Sequence, residues 1–245
     1  MRRELTPVSA AVQGLWVEGP LSPLERLSIR SFLAQGHEYH LFTYGEVPDL
    51  PAGAQRREAA EILPADEIFR YEDAESRGGL GGFANLFRYK LLHDRGGWWA
   101  DLDVVCLRRL DFADDWVFAS ERLQQGGTIA SNAVIRALPG SALLGDCFER
   151  GRTDENRAQR FGAIGPKFFD AAISRHGLSR YLRPPEVFCP VDWWRSESFL
   201  SPLELPVEAA GVHLWGEMWR WLGWPRDPAA APDSLYARLH RLYPP

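Results

Sequence analysis

Between Phe83 and Val105 the apolar positions change their period in mid-stretch. Phe83, Phe87 and Leu91 recur at i, i+4 and i+8, while Asn85, Arg88 and Leu92 recur at i, i+3 and i+7. That spacing predicts a helix on which Asn85 and Arg88 point the same way. Gly96 and Gly97 then supply the left-handed residue that commonly ends a helix. From Trp98 to Val105 the chain is almost continuously apolar, aromatic and β-branched, which predicts a strand buried on both faces of a helix-covered sheet. Asp101 and Asp103 contradict that pattern.

The flanking sequence supports an α/β fold. Ala10 to Val17 reads as a buried strand ended by Gly19-Pro20, and Ser22-Pro23-Leu24-Glu25 as a capping box that opens a helix closed by Gly36. Tyr39 to Tyr44 follows as the next strand, so the alternation predicts a parallel sheet with a right-handed crossover. Pro48 to Gly53 reads as a loop, and Ile62-Leu63-Pro64 and Ile68-Phe69 as short extended pieces. Trp116 to Ser120 and Thr128 to Ile135 read as strands, and Leu143 to Arg150 as a helix followed by an exposed charged turn, Gly151 to Arg160. Lys167 to His176 reads as a helix opened by Gly165-Pro166, Pro184 to Pro190 as a strand and loop, Gly211 to Gly216 as a short strand into a turn, and Ser234 to Tyr243 as a last helix. The 245 residues are expected to form a single domain, 1–245.

On a strand, positions i and i+2 share a face about 6.6 Å apart, so Asp101 and Asp103 would aim at one place near the strand's C-terminal part. Open α/β sheets bind ligands there. Unpaired buried carboxylates would each cost several kcal/mol, so a cation or hydrogen-bond donors must meet them. Mg²⁺ or Mn²⁺ satisfies that demand, commonly with substrate phosphates as further ligands. A surface turn, or pairing with arginines, would satisfy it too.

The runs N-L-F-R-Y, G-G-W-W and D-L-D resemble the sugar-binding DXD region of glycosyltransferase family 32 and the related toxin glucosyltransferase domains. The resemblance implies a GT-A type fold, with a Rossmann-like, mostly parallel sheet flanked by helices. It also implies metal-dependent transfer, with retention of configuration, from a nucleotide-sugar donor, UDP being favoured, to an acceptor hydroxyl. By that resemblance Arg88 contacts the nucleotide sugar, Trp99 lines the donor pocket, and Asp101 and Asp103 handle ribose, metal and diphosphate. Asn85 stands where the family usually has an Asp that holds sugar hydroxyls; an amide can still bond a hydroxyl but lacks the charge.

Trp16 is similar in place to a base-stacking Trp, its other reading being a core residue. Asn132 falls where family members often carry an Asn near donor and acceptor. The spacing of His213, Gly216 and Trp219 is similar to the H-x-x-G-x-x-K-P-W tail of retaining galactosyltransferases, whose His completes the metal shell, although the Lys-Pro is missing here. A hydrogen-bonded structural histidine is the alternative.

Composition narrows the partners. A net charge of −5 with both signs interspersed gives no basic patch, so no nucleic acid is expected. Cys106, Cys147 and Cys189 are odd in number and widely spaced, which suits a reducing compartment. No apolar run approaches the ~20 residues of a membrane span, and Met1 to Pro7 is too short and polar for a signal peptide. The expected location is cytoplasmic, with peripheral membrane contact open to the basic Arg238, His240 and Arg241. The expected partners are a nucleotide sugar and a glycan or lipid-linked acceptor, in polysaccharide or lipopolysaccharide assembly. Two rivals stand beside this reading. Asp101-Leu-Asp103-Val-Val105 also fits the nucleophile strand of haloacid-dehalogenase-like phosphatases, with Asp101 as phosphoryl acceptor, and a non-catalytic sugar-binding protein would bind glycan without metal and consume no donor.

Overall fold

Strand β1 (Val12–Trp16) is the hinge of the architecture. Helix α1 (Pro23–Ala34) carries the chain from β1 to β2 (Tyr39–Thr43), which pairs with β1 in parallel from Val12 opposite Tyr39 to Trp16 opposite Thr43. The computed structural model describes residues 11–72, 78–153 and 162–245. The capping box that starts α1 is formed: the Ser22 side chain accepts from Leu24 N at 3.3 Å, and Glu25 accepts from Ser22 N at 2.7 Å.

Beyond β2 lie β3 (Ala54–Glu58), α2 (Gly81–Arg95), β4 (Gly97–Ala100), β5 (Val104–Cys106), β6 (Val117–Arg122) and β7 (Thr128–Ala137). The six-stranded sheet has the order β3-β2-β1-β4-β7-β6. Its β3, β2, β1 and β4 run parallel, and β7 and β6 are added antiparallel. The strand order therefore reverses between β1 and β4. The ends of those two strands open the crevice in which such sheets bind ligands.

Helices cover both faces. Trp98 and Trp99 enter different apolar clusters, as successive strand residues must. Trp99 joins Phe83, Phe87 and Leu91 of α2, together with α3 (Ala142–Gly151) and α4 (Pro166–Arg175), whereas Trp98 joins Ile29 and Phe32 of α1. Phe87 lies between Phe42 and Trp99, ring centroids 5.8 and 6.4 Å away. Each such fully buried side chain contributes about 1.5–3 kcal/mol, so the periodic face of α2 fixes that helix over β4. Gly96 ends α2 at φ 63, and a Cβ there would stand 2.6 Å from Pro139, so both the backbone angle and the close approach require glycine.

The structure corrects three expectations and adds one strand. The apolar run from Trp98 to Val105 is not one strand: it breaks after Ala100, Val104 N donates to Asp101 O at 3.0 Å, and β5 leaves the main sheet to pair antiparallel with β8 (Gly211–His213). The aspartates occupy the resulting turn, because a strand covered on both faces has no room for two carboxylates. Ala54–Glu58, polar and half-exposed, is an edge strand that the absence of an apolar pattern concealed. The two pieces expected to be extended, Ile62-Leu63-Pro64 and Ile68-Phe69, join no strand: each follows a 3-10 turn, Ala59–Glu61 and Ala65–Glu67, and while Pro64 and Ile68 have extended backbone Ile62 is helical. Pro184 to Pro190 holds a one-turn helix, α5 (Pro185–Phe188), since proline at the first helical position costs no hydrogen bond.

The charged turn expected over Gly151 to Arg160 lies largely outside the described residues. The chain ends in α6 (Gly216–Leu222) and α7 (Leu235–Leu242). No helix among the described residues is long and apolar enough to cross a membrane.

Candidate functional site

Arg88, on the buried face of α2, reaches the turn after β4 and grips Asp101 with two nitrogens, Nη2 to Oδ1 at 2.9 Å and Nη1 to Oδ2 at 3.2 Å. Such a fork fixes a carboxylate in direction as well as in place. Trp99 Nε1 donates to Asp101 Oδ1 at 2.9 Å, and the Arg88 guanidinium lies 4.9 Å from the Trp99 ring centroid. Arg88 Nη1 also donates to Asn132 O, and Asn132 Nδ2 donates to Asn85 Oδ1 at 2.7 Å. Helix α2, β4 and β7 are thus joined around one carboxylate. Burial pushes the Asp101 carboxyl up from the usual range, outweighing the pull of Arg88.

Asp103 is held from the other end of the chain. Its backbone carbonyl accepts from Leu214 N at 2.8 Å, its Oδ2 faces His213 Nε2 at 3.2 Å, and the same Oδ2 accepts from Gly216 N at 2.6 Å. Trp215, between those residues, has φ 57, a left-handed backbone that a bulky side chain rarely adopts. Its indole accounts for the position: Nε1 donates to Val191 O at 2.8 Å and the ring lies 3.9 Å from that of His213. The twist directs Gly216 N–H at Asp103, and a Cβ on Gly216 would stand 3.1 Å from Asp103 Oδ2. Burial opposes the Asp103 charge, but His213 and the Gly216 N–H hold its carboxyl below the usual range; the same pairing holds His213 well above the ordinary histidine value against its own burial.

One oxygen, Asp103 Oδ1, is buried without a hydrogen-bond partner among the described residues. Asp101, Asp103 and His213 each offer a ligand atom, all within 4.8 Å of one another. Two carboxylates and an imidazole fit a divalent cation such as Mn²⁺ or Mg²⁺, and an orphaned buried oxygen is what such an ion would satisfy. The sequence placed His213 beside the aspartates by resemblance alone; the antiparallel pairing of β5 with β8, Val104 opposite His213, brings it there.

Two clefts meet at this group. The first, about 380 Å³, runs past Trp16, Glu18, Arg70 and Gly79. The second, about 350 Å³, is walled by Tyr71, Trp193, Trp215, Met218 and Trp221, with Asn85, Glu121, Ser131 and Asn132 as polar lining. Arg88, Asp101, Asp103, Gly81 and Glu217 line both. A larger cavity of about 690 Å³, lined by Arg26, Arg30, Asp49 and His240, shares no lining residue with either and lacks the metal-ligating group.

The residues singled out from sequence are not all on the cleft surface. Trp16 lines the first cleft with its Nε1 bonded to Gly19 O at 2.7 Å, and Asn85, Arg88, Asp101, Asn132 and His213 line the second. Trp99 lies behind the wall rather than on it, 2% exposed, and reaches the site through Asp101. Of the C-terminal tryptophans, Trp221 faces the second cleft while Trp219 is core. Glu121, Trp193 and the Gly216 amide escaped the sequence reading. A lone carboxylate closing the apolar run Val117-Phe118-Ala119-Ser120 was the available signal for Glu121.

The site and the sheet together define an α/β protein with a carboxylate–imidazole group at the switch point. No family model matches the sequence, and no curated protein matches it. Among solved structures the chain is similar to one described as "PaToxG Glycosyltransferase", with TM-score 0.49 and 12% identity over 96% of this chain and 88% of that one. It is also similar to a transferase carrying cysteine-to-serine substitutions, with TM-score 0.39 and 10% identity over 71% of this chain and 85% of that one. Likenesses at these TM-scores carry no argument.

Proposed function

We propose that this chain is a metal-dependent glycosyltransferase of GT-A type that moves a sugar from a nucleotide-sugar donor to an acceptor hydroxyl with retention of configuration. The observation that carries the reading is the Asp101–Asp103–His213 group at the junction of two clefts, at the C-terminal ends of β1 and β4. One cleft suits a nucleotide and the other the sugar and its acceptor. The family 32 resemblance points the same way.

The charges explain why such a reaction would use this group. A donor diphosphate facing two carboxylates is repelled by about 4 kcal/mol per unit pair at ~4 Å and an effective dielectric of ~20. A divalent cation held by Asp101, Asp103 and His213 would supply the opposite sign and stabilise the charge developing on the departing nucleoside diphosphate. The chain's own residues do the rest. Arg88 and Trp99 orient Asp101, and Gly216 N–H orients Asp103. Asn85 and Asn132, hydrogen-bonded to each other, present amide groups to sugar hydroxyls. Trp16 offers a face to the base, and Trp215 and Trp221 keep water from the reacting carbon.

The finer reading is UDP as the nucleotide, Mn²⁺ or Mg²⁺ as the ion, a glycan or lipid-linked acceptor in polysaccharide assembly, and one catalytic unit over residues 1–245. Three free, buried cysteines suit a cytoplasmic setting. The phosphatase alternative would make Asp101, held by Arg88 and Trp99, a phosphoryl acceptor, and one test separates the two readings.

The test is nucleotide release from a panel of UDP- and GDP-sugars with Mn²⁺, Mg²⁺ or chelator. Metal-dependent release from one donor that falls at least about a hundredfold in Asp103→Ala is expected. Steady phosphatase turnover, or an Asp103→Ala variant with normal release, would sink the reading.

A further inference from the structure

The second cleft holds four carboxylates, and three have partners that account for them. Asp101 is gripped by Arg88, Asp103 by His213 and Gly216, and Glu217 by Arg220 at 2.6 Å. Glu121 is the fourth. It forms no salt bridge to a lysine or arginine among the described residues, and its chain neighbour Arg122 turns instead to Glu186 and Asp192. Burial pushes its carboxyl up from the usual range, and the Ser131 hydroxyl and the charge of His213 pull it partly back. The positive charge that faces it, His213, is already paired with Asp103, so a half-buried Glu121 carboxylate is unfavourable in the free protein and its position demands a reason beyond folding.

The sheet register places it. In the β6–β7 pair Ala119 stands opposite Ser131 and Glu121 opposite Ile129, so Glu121 and Ser131 share one face of the hairpin while Asn132 belongs to the other. The cleft therefore has two polar sides. One is the linked set Asn85, Asn132 and Arg88, and the other is Glu121 with Ser131, on the His213 side. Trp193, Trp215 and Trp221 line the same cleft. Trp193 is 37% exposed, a large aromatic surface open to solvent. An apolar pocket with a few convergent polar groups is the form of a specific ligand site, and a carboxylate beside indole faces matches the alternating hydroxyl and C–H surfaces of a pyranose.

We infer that Glu121 binds the acceptor: its carboxylate, on the side of the second cleft away from Asn85 and Asn132, accepts hydrogen bonds from hydroxyls of an acceptor sugar packed against Trp193 and Trp221. This rests on the transferase reading above, and it assigns the acceptor class as a carbohydrate.

The experiment uses the full chain, its best donor from the nucleotide-sugar panel, and methyl α- and β-hexosides as acceptor probes. One or more hexosides accelerates nucleotide release by the unsubstituted protein and receives the sugar. In Glu121→Ala the KM for that hexoside rises about tenfold or more relative to the KM for the donor, and Glu121→Gln, which keeps the volume and one acceptor oxygen, recovers part of the loss. Equal effects on both substrates, or a rise confined to the donor KM, would overturn the assignment. Donor cleavage that no hexoside accelerates would overturn a sugar acceptor while leaving the transferase reading in place. The absence of metal-dependent donor cleavage in the unsubstituted protein would remove both. A thermal melt of each variant separates a folding defect from a binding one, and loss of fold in Glu121→Gln would assign the residue to structure instead.

Discussion

Asp101 and Asp103 stand two positions apart in the chain and are held by opposite halves of it. The donors to Asp101 are local, Trp99 two residues before it and Arg88 thirteen residues before it. Those to Asp103 come from His213 and Gly216, 110 and 113 positions away. The consequences for the two carboxyls are opposite in sign: burial raises Asp101, whereas His213 and a backbone amide lower Asp103. The first arm is a preformed scaffold whose positive partner, the Arg88 guanidinium, is itself buried. The second arm keeps an unsatisfied oxygen and an imidazole in reserve. Rigidity is concentrated in one carboxylate and readiness for a cation in the other.

The difference can be broken arm by arm. Removing Arg88 should have the largest effect on the fold, since it strands Asp101 in a site where its side chain is only 24% exposed. Arg88→Ala is expected to cost about 3 kcal/mol in urea unfolding, and to weaken donor engagement as well. A loss below about 0.5 kcal/mol would mean that Asp101 reaches water and that the first arm is not a scaffold. Gly216→Ala comes next. Its Cβ would press on Asp103 Oδ2, so metal affinity should fall about tenfold while urea stability changes little. Undiminished affinity would show that the Gly216 amide does not position Asp103. Trp99→Phe removes one hydrogen bond to Asp101 and should cost about 1 kcal/mol, with the second arm untouched.

The smallest effect is in pH. With chelator present, the raised value of His213 makes the folded state bind its proton more tightly than the unfolded chain does. That contribution to stability is fully present below the ordinary histidine value, about 6.5, and is lost as pH rises through the folded value. His213→Asn should therefore lower the melting temperature of the metal-free protein more at pH 6 than at pH 9. Added Mn²⁺ should reverse the trend in the unsubstituted protein, because the ion competes with that proton. A pH-independent difference would mean that His213 is not charged in the pair.

The same comparison explains what could be read from the sequence. The helix from Phe83, its glycine stop, the capping box at Ser22 and the parallel β1–α1–β2 unit rest on local periodicity and turn chemistry, and all were legible. The break after Ala100 was foreshadowed by the aspartates themselves but looked like a continuous strand, because both halves are apolar and only their sheet partners differ. His213 could be placed near the aspartates only through resemblance, since the pairing of β5 with β8 joins Val104 to His213 across nearly half of the chain. Glu121 gave almost no signal. A glutamate in a strand reads as solvated surface until the register shows which face of the hairpin it occupies.

If the two arms converge on one divalent cation, titration of the full chain with Mn²⁺, following the free-ion signal by electron paramagnetic resonance, reveals it. A single saturable Mn²⁺ site per chain is expected, lost in both Asp103→Ala and His213→Ala. Saturable binding that survives both substitutions, or no saturable binding in the unsubstituted protein with or without a nucleoside diphosphate, would contradict it.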